Sequence, residues 1–425
     1  MKFFRDLNQF MVAGAKAHAR WELETSRNIL QSRKRLLVLG LLMIPIFVGG
    51  YAFADAVSQA VPNFIGGKTA YGPSHYTNLI FGASILVGIC AGLITGCIGA
   101  GGGFIIAPAL MSAGVKGILA VGTDLFHIFA KAIMGSVLHR KMGNISISLA
   151  VTFLLGSLIG ASVGGWGNRV IYDLNPVLSD MFITIVYVFI LGFLSFYAVV
   201  DVLKARSKKA VVVEGATRIA EEIPALGKMV QSVNLPPMLT FDEAITPGGR
   251  RISWLFLVIS GFIVGLAASI MGVGGGFLTF PMFVYGLGVS SMTTVGTDIF
   301  QIVFTSGYTA IVQYGIYGFI FYTLAMGMLL GSLIGIQVGS IVTKVVPGTT
   351  IRGFFAVTVS AGFFNRLCAL PDKLGRMGYI NLSKDVLSII DLIGNVVFFA
   401  LIIAFAVWVF YCFFANLSTL RGEAR

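Results

Sequence analysis

Residues 99–124 read GAGGGFIIAPALMSAGVKGILAVGTD, and residues 272–298 read GVGGGFLTFPMFVYGLGVSSMTTVGTD. Each stretch is a glycine run, a phenylalanine, a proline (Pro108 or Pro281) and a Gly-Thr-Asp end. The match continues downstream, where residues 155–160 and 330–335 both read LGSLIG. The register shifts by only two residues over the whole length, so the chain carries an internal duplication. Each copy follows one apolar run and interrupts the next.

The setting of these copies is a membrane. Of 425 residues, 56% are hydrophobic and 11% charged, and glycine occurs 53 times. Globular chains carry about 25% charged residues. The mean hydropathy of +0.90 fits a polytopic helical protein. The net charge of +12 does not point to nucleic acid, because the basic residues gather between the apolar runs. Cys90, Cys97, Cys368 and Cys412 are not at metal-ligand spacing and read as small packing residues. No P-loop is present, and no cofactor or metal site is expected.

The expected fold is an all-α integral membrane protein of roughly 8–12 membrane segments, counted against the length a bilayer requires. Residues 1–35 read as an amphipathic helix on the cytoplasmic surface. Residues 36–78 supply a first span and an external loop, and residues 79–203 form the first repeat. Residues 204–251, rich in Lys, Arg and Pro, read as a loosely ordered cytoplasmic linker with a short surface helix. The second repeat occupies 252–369. Residues 370–425 hold an external loop, a last span and a cytoplasmic tail. The positive-inside pattern puts both termini in the cytoplasm and turns the second copy over relative to the first. The turn after the second hairpin is expected at Gln313-Tyr314-Gly315, which carries no positive charge. The charged 370–385 loop fits its external assignment poorly.

Inverted repeats with interrupted helices are the architecture of secondary transporters. The glycine runs precede new helical pieces, whose N-termini carry free N–H donors and partial positive charge. Gly101, Gly102, Gly103, Gly274, Gly275 and Gly276 are therefore expected to cradle an anion near mid-membrane. Thr123 and Thr297 are candidate ligands beside them. Asp124 and Asp298 are intramembrane carboxylates. They either brace the broken helices or carry a coupling proton or cation. Asp124, His127 and Lys131 share one helical face, and their counterparts are Asp298, Gln301 and Thr305. His127 and Lys131 either pack and snorkel or neutralise the substrate, with His127 tuning affinity by pH. The glycines spaced by four, Gly156-Gly160-Gly164 and Gly331-Gly335-Gly339, read as helix-packing positions.

The paired Gly-x-Gly-Gly-Gly-Phe…Pro…Gly-Thr-Asp pattern resembles the sulfite exporter TauE/SafE family, also called the toluene-sulfonate uptake permease family, over about residues 79–369. The resemblance implies a transporter of sulfur-containing anions in the cytoplasmic (inner) membrane. Sulfite, sulfate, thiosulfate and organosulfonates are the candidate cargoes. The partners expected are that anion, the lipid bilayer and a coupling H+ or Na+, with a homodimer left open and nucleic acid excluded. The alternatives are a passive anion channel, or a membrane enzyme or scaffold built on Asp124, His127 and Lys131.

Overall fold

A computed structural model describes residues 78–98, 102–141, 146–207, 225–242, 249–342, 345–346 and 348–416, together with Lys34, Leu37, Leu41 and Ile44. The expected surface helix, first span and external loop lie outside the described residues, as do Gly101 and the C-terminal tail.

The first copy is α1 (Asn78–Ile98), α2 (Gly103–Ser112), α3 (Gly117–Lys141), α4 (Ile147–Leu174) and α5 (Pro176–Ser207). The second is α7 (Trp254–Met271), α8 (Gly276–Pro281), α9 (Ser291–Tyr308), α10 (Tyr322–Val342) and α11 (Gly348–Arg376). A last helix, α12 (Lys384–Ala415), follows. The copies thus repeat one order: a span, a short piece after a glycine turn, a polar long helix and two more spans. In the second copy α8 runs on as π-helix through Met282–Gly286, and α9 through Thr309–Gly315. Pro281 supplies no N–H to the helical ladder, which is where α8 gives way.

Among the described residues six helices are long and apolar enough to cross a membrane: α4, most of α5, α7, α10, most of α11, and α12. Their outward faces are apolar, as with Phe189, Phe193 and Phe196 of α5, all more than 70% exposed. Such a belt suits hydrocarbon. The Phe81–Cys97 part of α1 and the whole of α2 are apolar but shorter stretches. At about 1.5 Å per residue, α2 is only about 15 Å long, half a bilayer core.

The helices pair across the duplication. α1 packs on α10 and α4 on α7, so the first helix of each copy lies against the fourth helix of the other. α3 packs on α9 and α5 on α11, each on its own counterpart. The two crossed seams are glycine-lined and parallel. Gly88 and Gly92 of α1 meet the backbone of Met328 and Ser332. Gly156, Gly160 and Gly164 of α4 meet Val258, Phe262 and Leu266. A methyl group on Gly156 would sit 1.9 Å from the Val258 carbonyl oxygen, so only hydrogen fits. Without a side chain the backbones come into direct contact, which is what holds helices together where no water is displaced.

Three features differ from expectation. The linker contains α6 (Ala225–Gln231) and an antiparallel hairpin of β1 (Met238–Phe241) and β2 (Arg250–Ser253), so its second half is ordered. Gln313, Tyr314 and Gly315 are buried inside a π-helix, and the turn comes later, before α10. Gln313 is held there by Arg169, whose Nη1 donates to its Oε1 at 2.7 Å. Finally, α11 continues to Arg376 through residues expected to form a loop. Its end is tied back by Lys373, 3.8 Å from Asp180, and by the Arg376–Asp372 pair at 2.9 Å.

Candidate functional site

The two glycine turns touch. Gly102 precedes α2 with φ 69°, and Gly275 precedes α8 with φ 85°. This left-handed backbone suits glycine and strains other residues. A methyl group on Gly103 would lie 3.2 Å from the Val273 Cα and 3.1 Å from Ile128. Gly274 abuts the same Ile128. Ile128 and its counterpart Ile302 form a small buried cluster with Ala132 between the turns. The rings of Phe104 and Phe277, the first residues after each turn, stand 6.3 Å apart.

The threonines of the two Gly-Thr-Asp ends do one job each, and it is the same job. Thr123 Oγ1 accepts the Phe321 N–H at 2.9 Å, just before α10. Thr297 Oγ1 accepts the Ser146 N–H at 3.1 Å, just before α4. Each satisfies a donor at the start of the other copy's fourth helix. A helix start leaves such donors unpaired otherwise.

The aspartates part company. Asp298 is 7% exposed and accepts the Gln301 amide at 2.9 Å. Gln301 Oε1 accepts from Thr305 at 2.8 Å, and Thr305 meets Ser157 Oγ at 3.0 Å. The Asp298 carboxylate also stands beside the α8 start, 3.4 Å from where a Gly276 methyl would be. Thr279 Oγ1 donates to the Gly275 carbonyl at 3.0 Å, tying off that turn. Asp124, by contrast, is fully buried, and among the described residues no side chain hydrogen-bonds either of its oxygens; the Ala107 backbone lies beside it. His127 Nδ1 is 3.7 Å from it and likewise unpaired. The other ring nitrogen, Nε2, meets Ser332 Oγ at 2.9 Å. Lys131, one turn further on, is partly buried.

The structure therefore brings Gly102, Gly103, Gly274, Gly275 and Gly276 together, with Asp298 and Gln301 on one flank. It puts Asp124 and His127 in a second buried group along α3. Thr123 and Thr297 are engaged by backbone at the starts of α10 and α4. Sequence reasoning did not single out Ser157, Ser332 or Thr279. The two serines were legible in the repeated LGSLIG, since they occupy the same place in both copies.

A helical chain with at least six helices able to span, broken helices and carboxylates buried between them belongs to the class of multi-pass membrane transporters. The comparisons agree. The family model described as "Sulfite exporter TauE/SafE" matches residues 84–365, and the chain belongs to that family. It is similar to the probable membrane transporter protein YjnA of Bacillus subtilis, 24% identical over 268 residues, which is 60% of this chain and 87% of that protein. A second Bacillus subtilis protein, the probable membrane transporter YunE, is 22% identical over 63% of this chain and 90% of its own length. A probable membrane transporter protein of Haemophilus influenzae is 25% identical over 64% of this chain and 92% of its own. No solved structure matches. The chain is a transporter and not an enzyme.

Proposed function

We propose that this protein is a secondary transporter that carries a small sulfur-containing anion across the cytoplasmic membrane, coupled to H+ or Na+. Sulfite, sulfate, thiosulfate and organosulfonates form the substrate class, taken from the family. The observation that carries the reading is the contact between the two glycine turns, deep among crossed helix pairs. Half-helices starting from one place offer N–H donors and about half a positive charge each to an anion.

Alternating access needs the two copies to be inverted, and the packing supports this. Phe319, just before α10, meets Tyr172 near the end of α4 edge-on, with ring centroids 5.2 Å apart. α10 therefore starts where α4 finishes. With α1 parallel to α10 and α7 parallel to α4, this contact supports opposite directions for the equivalent helices α1 and α7. Two oppositely directed copies exchange inward- and outward-open forms by rocking. Cysteines introduced as Lys68→Cys and Ala220→Cys are expected to label from opposite sides of the membrane. Labelling from the same side would remove the inverted reading and the cytoplasmic placement of the linker.

The deciding experiment is flux into liposomes containing the purified protein, with sulfite, sulfate, thiosulfate and methanesulfonate offered in turn. One or more is expected to enter saturably and to be driven uphill by a pH or Na+ gradient. Flux that ignores both gradients would instead favour a passive channel. Lys131→Gln tests charge neutralisation: a loss of affinity of roughly tenfold, about 1.4 kcal/mol, is expected if the amine serves the anion. Unchanged affinity assigns Lys131 to the membrane edge.

A further inference from the structure

A fully buried arginine lies outside the site described so far. Arg366 of α11 is 2% exposed. Its Nε donates to Asn365 Oδ1 at 2.8 Å, and its Nη2 donates to Ser112 Oγ at 2.6 Å and to the same Asn365 oxygen. Nη1 meets no acceptor among the described residues. No carboxylate among them is within ion-pairing distance either. Asp391 of α12 and Asp180 of α5 act on Arg366 at electrostatic range without touching it, and two amides link it to Asp391, with Asn365 donating to Asn395 at 2.8 Å and Asn395 to Asp391 at 3.1 Å. Arginine does not shed its proton in proteins. A buried charge held only by neutral groups costs several kcal/mol. A brace between α2, α11 and α12 would need no charge, since a glutamine reaches the same kind of partners.

The position of this charge matters. Ser112 is the last residue of α2, and Gly102 caps the first turn of the same helix. Arg366 thus stands about 15 Å, one length of α2, from the glycine turn. At its own end of α2 are two more basic groups. Lys116 donates to Tyr172 OH at 2.9 Å, and Lys373 lies 3.8 Å from Asp180. Inward, Tyr187 is within electrostatic reach of both Arg366 and Asp124, and its hydroxyl donates to the Met271 carbonyl beside the second glycine turn.

We infer that Arg366, with the Ser112 hydroxyl, is a second binding station for the transported oxyanion, set between the Lys116–Lys373 end and the glycine turns. The inference rests on the transport reading for its ligand. With Nε and Nη2 engaged, Nη1 keeps two N–H donors for an oxygen of a sulfite or sulfonate group, held in directions fixed by the planar guanidinium, which a lysine amine does not match. The open Nη1 donors, with the nearest carboxylates out of contact, are then a vacancy in the hydrogen-bonding scheme that an anion completes.

The test uses the full chain in detergent and reads the thermal unfolding midpoint against rising sulfite, sulfate, thiosulfate and methanesulfonate. At least one anion is expected to raise the wild-type midpoint. The concentration needed should increase roughly tenfold in Arg366→Lys, the range of a lost charge-assisted bond, and by less in Ser112→Ala. Ser112→Ala keeps the arginine and decides the matter should Arg366→Lys not fold. Unchanged response in the variants overturns the station, and so does a wild-type protein that none of the four anions stabilises. Liposome flux is read in parallel. Flux without Arg366-dependent stabilisation removes the station and keeps the transporter. Arg366-dependent stabilisation without flux keeps an anion site and removes the transport reading.

Discussion

The two copies agree in their backbones and disagree in their buried side chains. Both have a left-handed glycine before the short helix, a threonine that receives the start of the other copy's fourth helix, and a glycine seam on the other copy's first or fourth helix. Past the aspartate they diverge. Asp298 is held by Gln301, which is held by Thr305, which is held by Ser157. Asp124 has no such chain: His127 stands 3.7 Å away, with the Ala107 backbone beside it and Lys131 at electrostatic range. Features that keep a helix pair together serve both halves alike and stay duplicated. A group that handles a proton or a charge is needed once, so it is free to differ. In the second copy the carboxylate is hydrogen-bonded beside its broken helix; in the first we propose that it serves coupling.

The largest expected effects test the agreement. Gly156→Leu and Gly331→Leu should each abolish monodisperse protein in size-exclusion chromatography, because a β-carbon would meet a backbone oxygen at 1.9 Å and 2.0 Å. Survival of one but not the other would show that the crossed seams are not equivalent. Next come the glycine turns, where the copies should separate. Gly102→Ala puts a methyl 2.9 Å from the Ala91 carbonyl oxygen, whereas at Gly275 the nearest atom is a Val264 side-chain carbon at 3.1 Å that can turn aside. Both variants carry left-handed strain of about 1–2 kcal/mol, but Gly102→Ala should lose flux while Gly275→Ala keeps part of it.

The divergent side chains give the third test, read in two assays. Gln301→Ala removes the amide donor to a buried carboxylate and the acceptor of the Thr305 hydroxyl, so it should lower stability by about 1–3 kcal/mol. His127→Ala breaks only one such contact, with Ser332, and should cost less stability and more flux. The reverse pattern would place coupling in the second copy. The smallest effects belong to Thr123→Val and Thr297→Val. Each removes one acceptor for a backbone N–H, worth about 1 kcal/mol, and the two losses in thermal stability should match.

Much of this was legible in the chain. The duplication, the helical membrane class and the packing role of Gly156 and Gly331 follow from repeats and composition alone. The crossed pairing did not follow, because nothing local says which surface a glycine row will meet. Gln313 and Tyr314 were misplaced for a related reason. An uncharged polar stretch looks like an external turn, and only the Arg169 side chain reaching from α4 reveals that it is buried. Arg366 was readable as a lone charge in the run FFAVTVSAGFFNRLCAL, but its proximity to positively charged residues further along hid it among loop signals. The aspartates were found by the intramembrane-charge rule, yet their different surroundings depend on residues remote in sequence, such as Thr279, 22 positions from Gln301, and Ser157, 148 positions from Thr305.

The crossed seams also bear on how the chain is made. When the ribosome has delivered only the first half, the glycine rows of α1 and α4 have no partners, for those partners are α10 and α7. The first copy must wait in the bilayer, half finished, with its small-residue faces against lipid or an insertion chaperone. Synthesis of α7 closes one seam, and α10 closes the other only much later. Neither half is a folding unit, although each is a unit of duplication. Two chains split within the 208–224 segment should therefore assemble when co-expressed and be degraded when expressed singly.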